Sequence, residues 1–307
     1  MRFSLIIPLY NKAAYINEAL GSVFRQTKRP AELIIVDDAS TDGSLDRVRE
    51  FLEKHAHSTA GTDVRIIELL SNAGPGNARN VGFEQATGDI VSFLDADDLL
   101  HPRYMEEVIS AVEKHGIDFL VMSIRYVPGD ARDPDVHTLR DKTRILEGDL
   151  HLLLNPLDVV SSPGFVMGVG CNVAAKRHWM ARERFHEGAR LNEGIDYWYR
   201  VLNGMLSSGV QVRAGLHAGA LLSVRIVEGS LSRRRYQHWK EIDYPPLLLR
   251  YGNSRNPYDR RLASVIAWRW FRHVMQHTPS LWQKLHFMWY YRSFMKRYGW
   301  SLLSGKE

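Results

Sequence analysis

The chain has 307 residues, of which 45% are hydrophobic and 24% charged, and its formal net charge is +5. This composition is that of an ordinary globular protein and excludes a disordered or fibrous chain. No uninterrupted apolar segment approaches the length that spans a bilayer. The single cysteine, Cys171, excludes an intramolecular disulfide and fits a reducing compartment, so we predict a cytoplasmic protein.

The first part of the chain alternates between strand and helix patterns. The predicted elements are, in order, strand 3–9, helix 13–25, strand 32–36, helix 44–55, strand 64–69, helix 76–86, strand 90–94, helix 102–114 and strand 119–124. This alternation predicts an α/β fold with a mainly parallel sheet flanked by helices. Residues 127–150 are polar and charged and are predicted to form an exposed connection, before a further strand at 172–175.

Polar residues collect where the predicted strands end. The carboxyl ends of parallel strands lie at one edge of the sheet, where α/β proteins bind their ligands. At this edge the apolar run Ile90–Leu94 is followed by the carboxylates of Asp95, Asp97 and Asp98. Close carboxylates repel one another, and Mg²⁺ or Mn²⁺ carrying a diphosphate relieves that repulsion. The edge is therefore predicted to bind a nucleotide diphosphate with a metal, although Asp97 and Asp98 could instead cap the next helix.

Four segments together resemble family 2 of the inverting glycosyltransferases, which have the GT-A fold. The matching segments are Ser4–Asn11, Ile35–Ser44, Asn77–Gly82 and Gly88–Asp98. Each is weak alone, but their order and spacing make the resemblance specific. It implies a Rossmann-like GT-A domain with a nucleotide-sugar-binding half at residues 1–125 and an acceptor-binding half at 126–235. A helical, basic and aromatic C-terminal extension follows at 236–307.

The resemblance implies roles for five residues at this edge of the sheet. Pro8 and Tyr10 would line the nucleotide pocket. The carboxylate of Asp38 would accept a hydrogen bond from the base, typically from an uracil N–H, because an ionised carboxylate only accepts. Asp95 would contact the ribose of the donor. Asp97 would hold the Mn²⁺ or Mg²⁺ ion that bridges the two phosphates.

Two arginine sites are further candidates for binding the donor phosphates. Arg79 lies just after the start of a predicted helix, where anions bind favourably, and an ordinary ion pair is the alternative. Arg225–Ser232 resembles a loop that closes over the phosphates, so Arg225 and the run Arg233–Arg235 could grip them. Relatives often have a histidine where this chain has Glu228, so no metal ligand is predicted there.

An inverting transfer also needs a carboxylate general base. The family carries it in an ED-x-D-like segment, which Asn192–Arg200 resembles, but Gly194 replaces the second acid. The base is then Glu193 or Asp196, which lie three positions apart on one helix, with Arg200 a partner for Asp196. The longer side chain favours Glu193. The alternatives are a capping pair at the start of a helix, or a catalytically inactive nucleotide-sugar-binding or scaffolding relative.

The predicted reaction is the transfer of a single sugar from a UDP-sugar to a glycan or lipid-linked saccharide acceptor. The Q-x-x-R-W signature of processive synthases is absent from the sequence, as are their membrane spans. The alternative enzyme class is a nucleotidyltransferase that forms sugar nucleotides. Such an enzyme would need a glycine-rich basic loop at the position of Tyr10–Lys12.

The C-terminal tail is basic and aromatic. Residues 260–303 contain no Asp or Glu and five of the eight tryptophans. The aromatic residues are Trp268, Trp270, Phe271, Trp282, Phe287, Trp289, Tyr290, Phe294 and Trp300. We predict two helices, split near Pro279, that bind the inner face of the cytoplasmic membrane as interfacial helices. Packing of the aromatic residues onto the domain is the alternative, and no nucleic-acid partner is predicted because no such motif is present.

Overall fold

The strands form one mixed sheet in the computed structural model, which describes residues 1–165, 167–169, 172–188, 192–227, 236–278 and 280–304. The strands are β1 Phe3–Leu9, β2 Glu32–Asp37, β3 Asp63–Glu68, β4 Ile90–Phe93, β5 Leu99–Leu100, β6 Phe119–Val127, β7 Arg132–Asp133, β8 Thr143–Glu147, β9 Leu150–Leu153, β10 Val173–Lys176 and β11 Ala214–Arg225. Their order is β3-β2-β1-β4-β10-β6-β11-β9-β8, with β5 paired to β11 and β7 to β6. The four strands β3, β2, β1 and β4 are parallel, and β10 runs antiparallel between β4 and β6. The predicted α/β sheet is thus confirmed.

Helices cover the sheet and extend the chain at its C-terminal end. They are α1 Ile16–Phe24, α2 Ser44–Lys54, α3 Ala56–Thr59, α4 Pro75–Gln85, α5 Tyr104–His115, α6 Pro156–Val160, α7 Arg177–Met180, α8 Glu193–Leu206, α9 Pro246–Tyr251, α10 Pro257–His277, α11 Leu281–Tyr290 and α12 Arg292–Ser304. Two 3₁₀ helices, Val136–Lys142 and Trp239–Glu241, complete the described elements.

The parallel strands form because their residues are apolar on both faces. Every residue of β1, β2 and β4 is buried, as expected for strands covered by helices on both sides. Ile6 belongs to the core on one face of the sheet, and its neighbours Leu5 and Ile7 belong to the core on the other. Helix α4 packs very close to β1, since a Cβ added to Gly82 would lie 2.4 Å from the Ile6 side chain. This close packing fixes α4, and with it Arg79, against the sheet.

Residues 127–150 are mostly exposed, as predicted, but this connection is not irregular. This segment contains a 3₁₀ helix and the first strand of a hairpin, β8–β9, whose strand β9 pairs antiparallel with β11. Leu139 of the 3₁₀ helix and Leu150 and Leu153 of β9 are buried. The polar composition of this segment is typical of an edge strand of a sheet. Its charged side chains stay in water, while a few leucines attach the hairpin to the core.

The prediction of two helices in the tail was also incomplete, because three are present. α11 ends before Tyr291, whose ring lies 5.1 Å from that of Trp270 and stacks on Tyr244 at 5.6 Å. The break thus lies at a residue that packs against distant rings, where the sequence has no helix breaker. Among the described residues, none of the helices combines the length and hydropathy that crossing a membrane requires.

Candidate active site at the carboxyl edge of the sheet

Arg79 joins two carboxylates that the sequence analysis treated separately. Its Nη2 lies 2.7 Å from Asp95 Oδ1 and its Nη1 lies 3.1 Å from Glu193 Oε1, and the arginine side chain is almost fully buried. Asp95 follows β4, whereas Glu193 is the first residue of α8. The guanidinium therefore holds the start of α8 against the end of β4. Arg79 is not on the surface, so its ion pairs are better shielded from solvent than the ordinary pair considered from the sequence.

The carboxyl group of Glu193 is mostly buried and is paired with Arg79. Burial raises its pKa, while the charge of Arg79 works in the opposite direction. A buried carboxyl with a raised pKa binds a proton more readily than an exposed one, which suits general-base chemistry. Its position at the N-terminus of α8 favours the ionised form.

Lys12 is a site residue that the sequence analysis missed. Its Nζ contacts Asp97 Oδ2 as an ion pair, across 85 positions of the chain. The main chain of Lys12 is fixed because its N–H donates to Ser44 Oγ at 2.7 Å. The only sequence signal was a cation directly after the end of β1, which by itself is common on protein surfaces.

Asp98 ties the acidic segment to β11. It is 2% exposed, and its Oδ1 accepts a hydrogen bond of 2.8 Å from the main-chain N–H of Arg225. Burial and the nearby carboxylates of Asp95 and Asp97 raise the pKa of Asp98 well above its ordinary value. The three carboxylates thus lie close enough to repel one another when ionised, and a bound cation would relieve that repulsion.

The donor atoms at this edge fit Mg²⁺ or Mn²⁺. Asp95 and Asp97 offer carboxylate oxygens and both are partly open to solvent. The described residues contain no group of three His, Cys, Asp or Glu side chains placed to hold a metal by themselves. A hard cation of this kind is commonly held by one or two carboxylates together with substrate phosphates and water. Asp97 can thus supply a protein ligand, and the donor phosphates would complete the site.

Asp196, the second predicted base, has different surroundings. Its side chain is fully buried, with Oδ2 2.9 Å from Arg200 Nε and Oδ1 3.5 Å from Arg250 Nε. Arg200 also pairs with Glu183 and donates to the Arg184 carbonyl at 2.6 Å. Burial raises the pKa of Asp196, and Arg250 opposes that effect. The predicted Asp196–Arg200 pair is present, and it belongs to a network that fastens α8 to its neighbours.

Gly194, where the family has its second acid, lies against another main-chain segment. A Cβ at this position would be 2.2 Å from the carbonyl oxygen of Gly168. Gly168 itself has φ +75°, a conformation that favours glycine. The close approach of these two main-chain segments requires glycine at 194, so a side chain there would displace the start of α8.

The residues predicted to bind the nucleoside lie around the ends of β1 and β2. Pro8 is buried within β1, whereas Tyr10, just beyond it, is 45% exposed. Asp38 is 2% exposed, and its two carboxylate oxygens each accept a 2.8 Å hydrogen bond, from the main-chain N–H groups of Ala73 and Gly74. Burial raises the pKa of Asp38 despite these bonds. The carboxylate of Asp38 thus fixes the loop before α4. Each of its oxygens has a second lone pair, which can accept one more hydrogen bond.

The side chain of Arg225 is engaged by α1 in this structure. Its Nη2 lies 2.9 Å from Glu18 Oε2, and its guanidinium lies 5.2 Å from the centre of the Tyr15 ring. Its predicted contact with donor phosphates would require the Glu18 pair to open. The other predicted loop residues, Glu228 and Arg233–Arg235, lie outside the described residues.

Curated proteins of known name are similar to part of the chain. The chain is 34% identical over 132 residues to the poly(ribitol-phosphate) β-N-acetylglucosaminyltransferase TarS of Staphylococcus aureus, covering 42% of the chain and 22% of TarS. It is 28% identical over 219 residues to the minor teichoic acid biosynthesis protein GgaB of Bacillus subtilis, covering 70% of the chain and 22% of GgaB. The match thus spans about a fifth of each of these relatives.

Solved structures show the same fold. TarS residues 1–349 in complex with UDP-GlcNAc match with a TM-score of 0.62 at 20% identity, over 99% of this chain and 91% of that one. The mannosyltransferase PcManGT of Pyrobaculum calidifontis, in complex with GDP-Man and Mn²⁺, matches with a TM-score of 0.57 at 17% identity, over 100% and 88%. The model of glycosyl transferase family 2 matches residues 4–168, more than half of the chain. With its GT-A fold, the chain belongs to glycosyltransferase family 2.

Proposed function

We propose that the protein transfers a single sugar, with inversion, from a UDP-sugar to a glycan or lipid-linked saccharide, in a metal-dependent reaction with Glu193 as general base. The observation that carries this proposal is the bridge from Asp95 through Arg79 to Glu193. It sets a buried carboxyl beside the acidic edge of the sheet, where a nucleotide diphosphate is expected.

The donor half of the site, within residues 1–125, would hold the nucleotide. Tyr10 and Pro8 would line the nucleoside pocket and Asp38 would accept from the base N–H. Asp95 would contact the ribose and Asp97 would hold Mn²⁺ or Mg²⁺. The complex of TarS with UDP-GlcNAc supports a uridine donor, and the complex of PcManGT with GDP-Man and Mn²⁺ supports a metal-bound diphosphate.

In the proposed reaction Glu193 acts as the general base. Its ionised carboxylate takes the proton of the acceptor hydroxyl as that oxygen bonds to the anomeric carbon, on the face opposite the leaving group. The bond from the anomeric carbon to the phosphate oxygen breaks, and its electron pair leaves with the nucleoside diphosphate. When bound, the metal withdraws charge from that leaving group. Arg79 keeps the base beside Asp95, and Arg225 could reach the phosphates once it leaves Glu18.

The acceptor would bind within residues 126–235, which contribute α8 and Glu193 to the site. The names of TarS and GgaB link them to ribitol-phosphate polymers and teichoic acid. By this likeness we propose a bacterial surface glycan, reached at the inner face of the cytoplasmic membrane, as the acceptor. The helical extension 236–307 would then provide the contact with that membrane.

The anomeric configuration of the product tests the proposal. A panel of UDP-sugars, including UDP-GlcNAc, is incubated with Mn²⁺ and saccharide acceptors, and the new linkage is followed by NMR. We expect a β-linked product from an α-linked donor, and none from the Glu193→Gln variant. A retained configuration would contradict the proposed mechanism. Donor binding without transfer to any acceptor would instead support the inactive, scaffolding relative.

A further inference from the structure

Helix α11 carries large apolar side chains on two opposite sides. On one side Phe287 is fully buried, with its ring 5.2 Å from that of Trp270 and 5.6 Å from that of Trp239. The exposed apolar side chains on the other side are Leu281, Trp282, Leu285 and Trp289, with exposed fractions of 73%, 74%, 53% and 65%. At 3.6 residues per turn, these four fall within an arc of about 100°, roughly opposite Phe287. We call these four side chains the α11 face.

Only some of the aromatic side chains of the tail are buried by packing within the protein. Trp270, Phe287 and Phe294 are buried in the core, so these aromatic residues cannot face a membrane as the sequence alone suggested. The packing leaves the α11 face in water, together with Tyr290. Two tryptophans and two leucines side by side are more than the single exposed apolar residues usual on a protein surface, and such patches mark interaction sites.

A cation lies beside the α11 face. The guanidinium of Arg292 is 5.5 Å from the centre of the Trp289 ring. The sequence from 260 to 304 contains no acidic residue. Tryptophan prefers the headgroup level of a bilayer, and nearby cations are attracted to anionic lipid. Two copies of this face would instead bring cations together, which disfavours self-association.

We propose that the α11 face docks the protein onto an anionic membrane surface, with Trp282 and Trp289 inserted at the headgroup level and Arg292 against the lipid phosphates. This docking depends on the tail alone and does not require the proposed transfer reaction. If the acceptor is lipid-linked, it also brings the enzyme to its substrate.

Flotation of the full chain with vesicles tests this proposal. One set of vesicles contains phosphatidylcholine alone and the other an equimolar mixture with phosphatidylglycerol. The test variant is Trp282→Ser with Trp289→Ser. The matched control is Leu154→Ser with Leu249→Ser, two exposed apolar residues outside the α11 face. Thermal unfolding and nucleotide binding, measured on every variant, show that the fold is intact.

We expect binding to the phosphatidylglycerol vesicles that weakens about tenfold or more in the double tryptophan variant and persists in the control. Arg292→Gln should weaken the same binding, as should added salt. Absence of binding by the wild type, or equal binding by the tryptophan variant, would overturn the proposal. Equal binding to the vesicles of phosphatidylcholine alone would contradict the claim that the membrane surface must be anionic. A dimer that dissociates in the tryptophan variant would identify a second copy as the occupant instead.

Discussion

Glu193 and Asp196 lie three residues apart on α8, but their carboxylates have different partners. Glu193 faces Arg79 and, through it, Asp95 at the edge of the sheet. Asp196 faces Arg200 and Arg250 and is fully buried. The sequence could identify this pair but could not separate its members, because the partners that distinguish them are distant in the chain. Arg79 and Glu193, for example, are 114 positions apart.

Replacement of Glu193 with Gln should remove the proposed base, while the amide oxygen can still accept a hydrogen bond from Arg79. We expect kcat to fall by about 10²- to 10⁴-fold, with nucleotide binding nearly unchanged. Because burial raises the pKa of Glu193, the acidic limb of the wild-type pH profile of kcat/KM should lie above the ordinary range of a glutamate. Activity should rise with pH through this limb as the carboxyl ionises. The pH profiles of wild type and variant check both expectations.

Asp196→Asn is the matched control for the Glu193 variant. We expect it to lower the free energy of unfolding, because it leaves Arg200 and Arg250 without their shared carboxylate. The activity that Asp196→Asn retains should still show the acidic limb in its pH profile. An acidic limb that survives in Glu193→Gln and disappears in Asp196→Asn would assign the base to Asp196 and refute our choice.

Lys12 should control access of a metal ion to Asp97. Its ammonium neutralises that carboxylate when no metal is bound, so an incoming cation has to displace it. We predict that Lys12→Met binds Mn²⁺ about tenfold more tightly than wild type in the absence of nucleotide, as measured by calorimetry. Lys142→Met, which removes a lysine paired with Asp158 at 2.9 Å, is the control. Unchanged or weaker Mn²⁺ binding in the Lys12 variant would contradict this role.

At the scale of elements, Glu32 joins the first strands of the sheet. Its buried carboxylate, at the start of β2, accepts from Ser4 of β1 and Thr87 before β4, and it pairs with Arg65 of β3 at 2.8 Å. Burial alone would raise its pKa, but these hydrogen bonds and the charge of Arg65 together lower the pKa of Glu32 to about 2. The carboxylate therefore stabilises the fold in its ionised form.

This gives a prediction for stability against pH. Since the pKa of Glu32 is lower in the folded state, its contribution is complete above the ordinary pKa of about 4.5 and is lost as the pH falls towards 2. Glu32→Gln should lower the free energy of unfolding by about 2 kcal/mol at pH 7. The difference from wild type should shrink below pH 4.5. Urea unfolding across this range tests it, and a difference independent of pH would be inconsistent with the role of the charge.

The strands and helices of the first half were predictable because their signals are local. Buried strands such as β1 are short apolar runs, and β1 was predicted at its observed bounds, Phe3–Leu9. The hairpin β8–β9 escaped prediction because an edge strand keeps charged side chains in water, which resembles a loop. The break between α11 and α12 escaped prediction because no helix breaker marks it, and Tyr291, at the break, packs against distant rings. Local patterns carry no information on such contacts.

At the scale of the whole molecule, the candidate site lies where parts distant in the chain meet. Lys12 lies in the turn after β1, the acidic segment follows β4, and Arg79 is on α4. Helix α8 provides Glu193, and β11 ends beside Asp98. The predicted positions of the acidic residues at the sheet edge followed from the alternation of strands and helices alone. The ion pairs that organise them depend on the tertiary fold and could be found only in the structure.

Calorimetric titration with nucleotides tests the central claim most directly. UDP, GDP and their sugars are titrated into wild type and Asp97→Ala, with Mn²⁺ and with EDTA. We predict that UDP binds wild type with Mn²⁺, and that EDTA or the Asp97 substitution weakens this binding about tenfold or more. Glu193→Gln should bind like wild type, since its carboxylate acts on the acceptor. Absence of nucleotide binding under every condition would contradict the assignment of this edge as a donor site.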